Sequence, residues 1–431
     1  MSTNPRVLMF GWEFPPHISG GLGTACFGLT KGLAKLGTNI IFVVPKAFGD
    51  EDQEAVRLMN ASEQEIQFKD VFYQEFWKQM TYLEVGVHLV PYLSPQEYER
   101  LTDARLHDRT DINESVFAQR FEFSGKYGKD LYQEVSRYAV VAAKIAREQT
   151  FDIIHAHDWL TYPAAIAAKA VSGKPIVAHV HATEFDRSGE HVNQRIYDIE
   201  REGMHAADCV VCVSNLTRDI VINRYGVPAD KVMTVHNGVV QQEQDREQYE
   251  RILPEKIVTF LGRITFQKGP DYFVEAAHKV MQRDPSVRFV MAGSGDMLYK
   301  IIRRVAQLRL SSRFHFAGFL REQEVDRMFA ISDVYVMPSV SEPFGISPLE
   351  AMRSNVPVII SKQSGVAEVL NHAIKVDFWD IDAMADSIYG LLHYQGISEM
   401  FKQMGKSEVE NLQWDHAAQK IYRIYEGILG A

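Results

Sequence analysis

Cysteine is scarce. Cys26, Cys209 and Cys212 are all that 431 residues contain, so no disulfide framework organises the chain and a reducing compartment suits it. Cys209 and Cys212 have the spacing of a redox pair. They fall in ADCVVCVS, however, which reads as a buried strand, where residues three apart face opposite sides. Long apolar runs are missing too: none approaches the roughly 18 to 20 residues that cross a bilayer. The opening MSTNPRVLMFGW lacks the charged-then-apolar order of a secretory signal. These absences predict a soluble, cytoplasmic protein. Basic charge is in deficit, with 46 Lys plus Arg against 56 Asp plus Glu and a net charge of −10. That balance argues against nucleic acid or an anionic membrane as partner, although local basic residues could still hold a small phosphate. There is no low-complexity tract and no internal repeat, and 46% hydrophobic with 24% charged residues excludes a disordered chain.

What is present is alternation. Short Val- and Ile-rich runs, each followed by a Gly-rich or polar turn and then a helical pattern, recur along the sequence. In the first half they are Val7–Phe10, Ile40–Val44, Val85–Val90, Phe151–Ala156, Ile176–His181, Cys209–Val213 and Val232–His236. In the second they are Ile257–Gly262, Val287–Ala292, Phe314–Gly318, Val334–Met337, Val356–Ser361 and Ala373–Val376. Runs apolar on both faces and alternating with helices predict parallel sheets covered on both sides, in an α/β fold. So many strands in one sheet would be unusual, which predicts two doubly wound sheets. The polar, charged stretch Gln241–Glu255 marks the expected boundary, giving domains of 1–240 and 241–407. The last segment, about 408–431, has apolar residues at helical spacing around Trp414 and could pack back onto the first domain. Two such sheets bind ligands beyond the carboxyl ends of their strands.

Chemistry-bearing residues cluster at those ends. Gly20, Gly21 and Gly23 precede an amphipathic helix whose first N–H groups suit an anion or a sugar oxygen. A dinucleotide fingerprint fits poorly, because the loop is long, Cys26 stands at the third glycine and VVPK offers no ribose-binding acid. His155 and His157, with Asp158 next, share one face of a strand end, as do His179 and His181, with Glu184 following. Paired histidines are zinc-ligand types, but no Cys-rich or HExxH context supports a closed site. Polar contact to substrate suits Asp158 and His181 better. Arg263 and Lys268 share a strand-to-helix loop and together suit a diphosphate. In SVSEPFGISPLEAM, Glu342 lies in a turn that presents the N–H groups of Phe344, Gly345 and Ile346 to sugar hydroxyls. Glu350, about one turn into the next helix, can accept from a ribose diol. Glu63–Tyr82 and the stretch from Tyr92 to Tyr127 are rich in aromatics, either as an acceptor groove or as core through Phe72, Phe76 and Trp77.

GRITFQKG, MAGSGD, FAGFL, SEPFGISPLE and SGVAEV, in this order and spacing, resemble the nucleotide-sugar half of the retaining glycosyltransferases of family 4. The Gly-rich opening, HAHDW and HVHATE resemble the acceptor half of the same group, which includes glycogen- and starch-synthase-like enzymes. The resemblance implies a GT-B fold, two Rossmann-like domains facing across a cleft. It implies transfer of a hexose from a nucleotide sugar, with UDP- or ADP-glucose preferred, to a saccharide acceptor, with an α-glucan preferred. No metal or other cofactor is expected.

Roles follow from the same resemblance. Arg263 and Lys268 would bind the donor diphosphate, and Glu350 the ribose. Glu342 and the Gly345 turn would hold the transferred sugar, with Phe319 and Leu320 near the base. His181 would stand at the reaction centre, Gly21 would approach the diphosphate, and Ser364 to Glu368 would line the sugar or phosphate. Ile18 stands where glycogen synthases commonly carry Lys, and Glu350 is a second glutamate that they usually lack. Other saccharide or lipid-linked acceptors therefore stay open, as does an inactive carbohydrate-binding protein.

Overall fold

The computed structural model describes residues 4–17, 20–67, 118–125, 131–240 and 254–430. The expected strand Val85–Val90, the aromatics Phe72, Phe76 and Trp77, and Ile18 lie outside the described residues.

The first sheet is built from β1 (Arg6–Phe10), β2 (Asn39–Val44), β3 (Arg57–Asn60), β6 (Ile153–His157), β7 (Ile176–Val180), β8 (Cys209–Cys212) and β9 (Val232–Thr234). Between β3 and β6 the chain forms a small antiparallel pair, β4 (Glu65–Gln67) with β5 (Ala118–Arg120). The second sheet holds β10 (Ile257–Leu261), β11 (Arg288–Ala292), β12 (Phe314–Gly318), β13 (Val334–Met337), β14 (Val358–Ser361) and β15 (Ile374–Val376). Their spatial orders are β3-β2-β1-β6-β7-β8-β9 and β12-β11-β10-β13-β14-β15, with every neighbouring pair parallel. The double winding expected from the alternating runs is therefore present twice. Each order reverses once, between β1 and β6 and between β10 and β13. Loops leaving the carboxyl ends of adjacent strands diverge at such a reversal and open a crevice.

The central strands of both sheets are apolar on both faces because helices cover both. Cys209 and Cys212, three apart in β8, fall in different core clusters on opposite faces, and both are free thiols. One face of the first sheet is closed by helix Gly21–Lys35 together with the C-terminal helix Trp414–Gly430. Gly28 and Gly32, one turn apart on the first of these, let the second approach. A Cβ at Gly28 would lie 2.2 Å from Trp414 Nε1, and one at Gly32 would lie 2.7 Å from Ala418 Cβ. Trp414, Ala417, Ala418, Ile421 and Tyr425 thus join the core of the first sheet, although they follow the second in sequence. On the other face, Tyr138 of helix Leu131–Glu148 donates its hydroxyl to Val43 O at 2.6 Å and Gly11 O at 3.1 Å, fixing the end of β1. Among the described residues, no helix is long and apolar enough to cross a membrane.

Candidate active site

The carboxyl ends of β1, β6 and β7 form one wall. Beyond β1, Gly21 opens its helix with nothing near the position of an added Cβ, so the backbone there is accessible. Glu13 is buried beside it and accepts from Gly23 N–H at 3.3 Å. After β6, Asp158 takes a left-handed backbone (φ 61°) and turns its carboxylate inward. There it accepts from the N–H of His181 at 2.6 Å and of Ala182 at 3.3 Å. Asp158 therefore shapes the loop that carries His181. Burial pushes its carboxyl up to about 7, against the opposing pull of the His181 N–H.

The four histidines form a ladder across β6 and β7. His157 Nδ1 lies 2.9 Å from His181 Nε2, and His155 Nε2 lies 3.2 Å from His179 Nδ1. His155 Nδ1 meets the Tyr425 hydroxyl at 2.5 Å. The rings of His155 and His157 stack at 4.6 Å, and those of His179 and His181 at 4.3 Å. Burial, the largest cause for all four, lowers their pKa values, that of His181 to about 3, so the ladder is neutral at pH 7. His155, His157 and His179, and likewise Cys26 with His157 and His181, offer ligand atoms within 4.8 Å of one another, imidazole and thiol donors of the types that zinc takes. Below His181 the loop is locked by a buried network. Arg187 pairs with Glu184 at 3.0 Å and with Glu200, to which the Tyr225 hydroxyl also donates. Glu184 additionally accepts from Asn193 N–H at 3.1 Å, which commits it to this network.

The ends of β10 and β13 form the second wall. Gly262 (φ 158°) turns the chain out of β10, and Gly293 packs so tightly on it that a Cβ there would lie 1.8 Å from Gly262 O. Arg263 is exposed and donates to Gln267 Oε1 at 3.2 Å. Lys268 is only 21% exposed and forms an ion pair with the buried Glu342, which also accepts from Ser339 Oγ at 3.2 Å. The turn after Glu342 needs its glycine, since Gly345 has φ 99°. Phe344 is buried, while Gly345 and Ile346 are half-buried. Glu350 sits in the first turn of helix Ser347–Arg353, near the Tyr335 hydroxyl, which meets Ser347 Oγ at 2.8 Å. Phe319, 56% exposed, and half-buried Leu320 follow β12 at the rim.

The two walls touch. Ser341 donates its hydroxyl to Asp186 Oδ1 at 2.6 Å, joining the residue before Glu342 to the short helix Glu184–Ser188 that follows His181. Asp186 is held by Thr183, whose N–H and hydroxyl both donate to its Oδ2 at 2.7 Å. Glu368, at the end of the turn Gly365–Glu368, directs its carboxylate to Asn215, Leu216 and His236 on the first sheet's side. Glu13, Asp186, Arg187 and Tyr425 are structural parts of the site that sequence reasoning missed. Glu13, an acid ahead of a Pro-Pro pair at a strand end, carried a signal, and so did Asp186, three residues after Thr183 in a capping box; the contacts of Arg187 with Glu200 and of Tyr425 with His155 depend on how helices pack.

Residues 107–243 match the family described as Glycosyltransferase Family 4, and residues 241–408 match Glycosyl transferases group 1. An uncharacterized glycosyltransferase of Methanocaldococcus jannaschii is 26% identical over 98% of both chains. A glycogen synthase of Mycobacterium tuberculosis is 23% identical over 85% of this chain and 80% of its own. Among solved structures, a sucrose-phosphate synthase of Thermosynechococcus elongatus superposes with a TM-score of 0.70 at 16% identity, covering 99% of this chain and 100% of that one. With the two facing sheets and the strand-end site, these matches place the chain in family 4, group 1, as a retaining, nucleotide-sugar-dependent hexosyltransferase of the GT-B fold.

Proposed function

We propose that the chain transfers glucose from UDP- or ADP-glucose to a sugar acceptor, an α-glucan first among them. The observation that carries the donor side is the Lys268–Glu342 ion pair beside exposed Arg263. A diphosphate entering here meets two cations, one of which is already turned toward the sugar-holding carboxylate. In this reading residues 1–240, with the returning helix at about 408–431, serve the acceptor, and 241–407 bind the donor.

Arg263 and Lys268 take the negative charge that develops on the departing diphosphate, the work a preorganised cationic site does best. Glu350 holds the ribose, and Phe319 and Leu320 border the base. Glu342 and the N–H groups of Phe344 to Ile346 hold the sugar. His181, neutral and aimed by the Asp158 contact to its N–H, borders the reacting carbon, and the backbone at Gly21 approaches the diphosphate. Departure and attack occur on the same face, through an oxocarbenium-like state, with the leaving diphosphate accepting the acceptor's proton. Closure of the walls excludes water and limits hydrolysis of the donor.

Similarity to a glycogen synthase supports the α-glucan. Ile18, where those enzymes commonly carry Lys, favours a second reading in which another saccharide or a lipid-linked sugar is the acceptor. A panel of UDP-, ADP- and GDP-sugars, each with and without glycogen or maltooligosaccharides, separates the two. Glucan-dependent release of nucleoside diphosphate, with an extended product, supports the first. Release indifferent to glucan supports the second. Tight glucan binding with every donor left intact would instead indicate a binding protein.

A further inference from the structure

The resemblance puts Glu368 beside the transferred sugar, yet its carboxylate faces the other half of the molecule. It accepts from Asn215 N–H at 2.9 Å and Leu216 N–H at 2.8 Å, and lies 2.9 Å from His236 Nε2. Those are the first two N–H groups of helix Asn215–Tyr225, which the helix itself leaves unpaired. The third, of Thr217, is taken by Ser214 Oγ at 3.0 Å. A carboxylate also suits the positive end of a helix. Burial alone would push Glu368 up, but the hydrogen bonds from His236, Asn215 and Leu216 outweigh it and hold the carboxyl below its ordinary range.

The same short turn grips the donor side. Gly365 N–H donates to Glu342 O at 2.9 Å and Val366 N–H to Phe344 O at 2.7 Å. Only a glycine fits at 365, because a Cβ would lie 2.1 Å from Pro343 O and 2.4 Å from Ser214 Cβ. The Thr217 hydroxyl reaches Pro343 O at 3.4 Å. Helix Asn215–Tyr225 in turn follows β8, whose end is tied to the His181 strand by Val213 N–H donating to Val180 O at 3.4 Å.

We propose that Glu368 is a positioning residue. It joins the turn Glu342–Ile346 to the start of helix Asn215–Tyr225 and so sets the sugar-holding turn against the His181 wall. The proposal rests on the donor-site reading above. Arg263, Lys268 and Glu350 all come from the second sheet's side, and Gly21 alone reaches the diphosphate from the first, so Glu368 governs turnover far more than nucleotide binding.

The test uses full-length Glu368→Ala and Glu368→Gln, with UDP and ADP affinity by calorimetry, steady-state kinetics, and hydrogen exchange over 215–217 and 342–346. For Glu368→Ala, kcat falls about tenfold while nucleotide Kd stays within about twofold, a split that general destabilisation does not produce. Exchange quickens in both segments, and Gln, whose amide oxygen still accepts, lies between Ala and wild type. Loss of UDP or ADP affinity as large as that of Lys268→Ala would make Glu368 a donor contact and overturn the proposal, as would an unchanged kcat. If Glu368→Ala does not fold, His236→Ala removes one leg of the contact and gives a smaller fall in kcat at unchanged Kd; no fall would count against the proposal. If wild type binds no UDP, ADP or GDP, the donor-site reading fails by itself. Exchange at 215–217 then decides the contact, and no change in Glu368→Ala would overturn it.

Discussion

Removing the Lys268 ammonium separates its part in the fold from the part proposed for it in the reaction. Its partner Glu342 is 6% exposed, and the Lys268 side chain is 21% exposed. Orphaning one member of a fully buried pair costs about 3–5 kcal/mol, whereas an exposed pair is worth about 0–1. Ser339 Oγ still donates to Glu342 after the change, so Lys268→Ala should destabilise by about 2 kcal/mol, between those limits. In a domain of this size that lowers Tm by roughly 4–8 °C. Lys268→Ala with Glu342→Gln removes the orphaned charge and should return most of the loss. Turnover behaves differently, because one charge-bearing donor at the leaving group is worth about 10²–10³ in kcat. The double variant should therefore recover in thermal melting and not in nucleoside diphosphate release. Two results would refute the reasoning: no loss of stability in Lys268→Ala, or a double variant that regains turnover together with stability.

Asp158 gives a prediction in pH. Its carboxyl is raised to about 7 in the folded chain, so the folded state holds the proton longer than the unfolded one. Stability from this group is full at low pH and falls as pH rises from about 4 to about 7. Melting curves of Asp158→Asn should lack that part of the slope, and parallel curves for the two proteins would contradict it. Tyr425→Phe leaves His155 Nδ1 without its hydroxyl partner and should destabilise by about 1–3 kcal/mol in urea, an effect absent if the hydroxyl contact contributes nothing. Gly28→Ala forces helix Trp414–Gly430 away from its groove and should cost about 1–3 kcal/mol. An unchanged denaturation midpoint would show that the groove can open freely.

The strand runs were legible wherever Val and Ile fill both faces, as in β6, β7, β10 and β13, because burial on both faces leaves a continuous apolar mark. β3 was not, because its RLMN is exposed to half-buried at the sheet edge and carries no such run. Arg263, Lys268 and Glu342 were legible as charged residues just past strand ends. Their pairing was not: Lys268 and Glu342 are 74 residues apart and meet only because β10 and β13 are neighbours. The same holds for Tyr425 with His155, 270 residues apart. Glu368 shows the limit of reading by motif. Its position in the sequence pointed to the sugar, and the packing of Gly365 against Ser214 aims its carboxylate at a helix start.

In the proposed reaction, cations at the end of β10 carry transfer from a nucleotide sugar. The most direct test of that role is release of nucleoside diphosphate by wild type and Arg263→Ala, each with the donor and acceptor that support turnover. Arg263 is exposed, so the substitution should leave the melting temperature unchanged. Turnover should fall by about two orders of magnitude, the scale expected when one charge-stabilising donor is lost. Near-normal turnover in a folded Arg263→Ala would contradict the account.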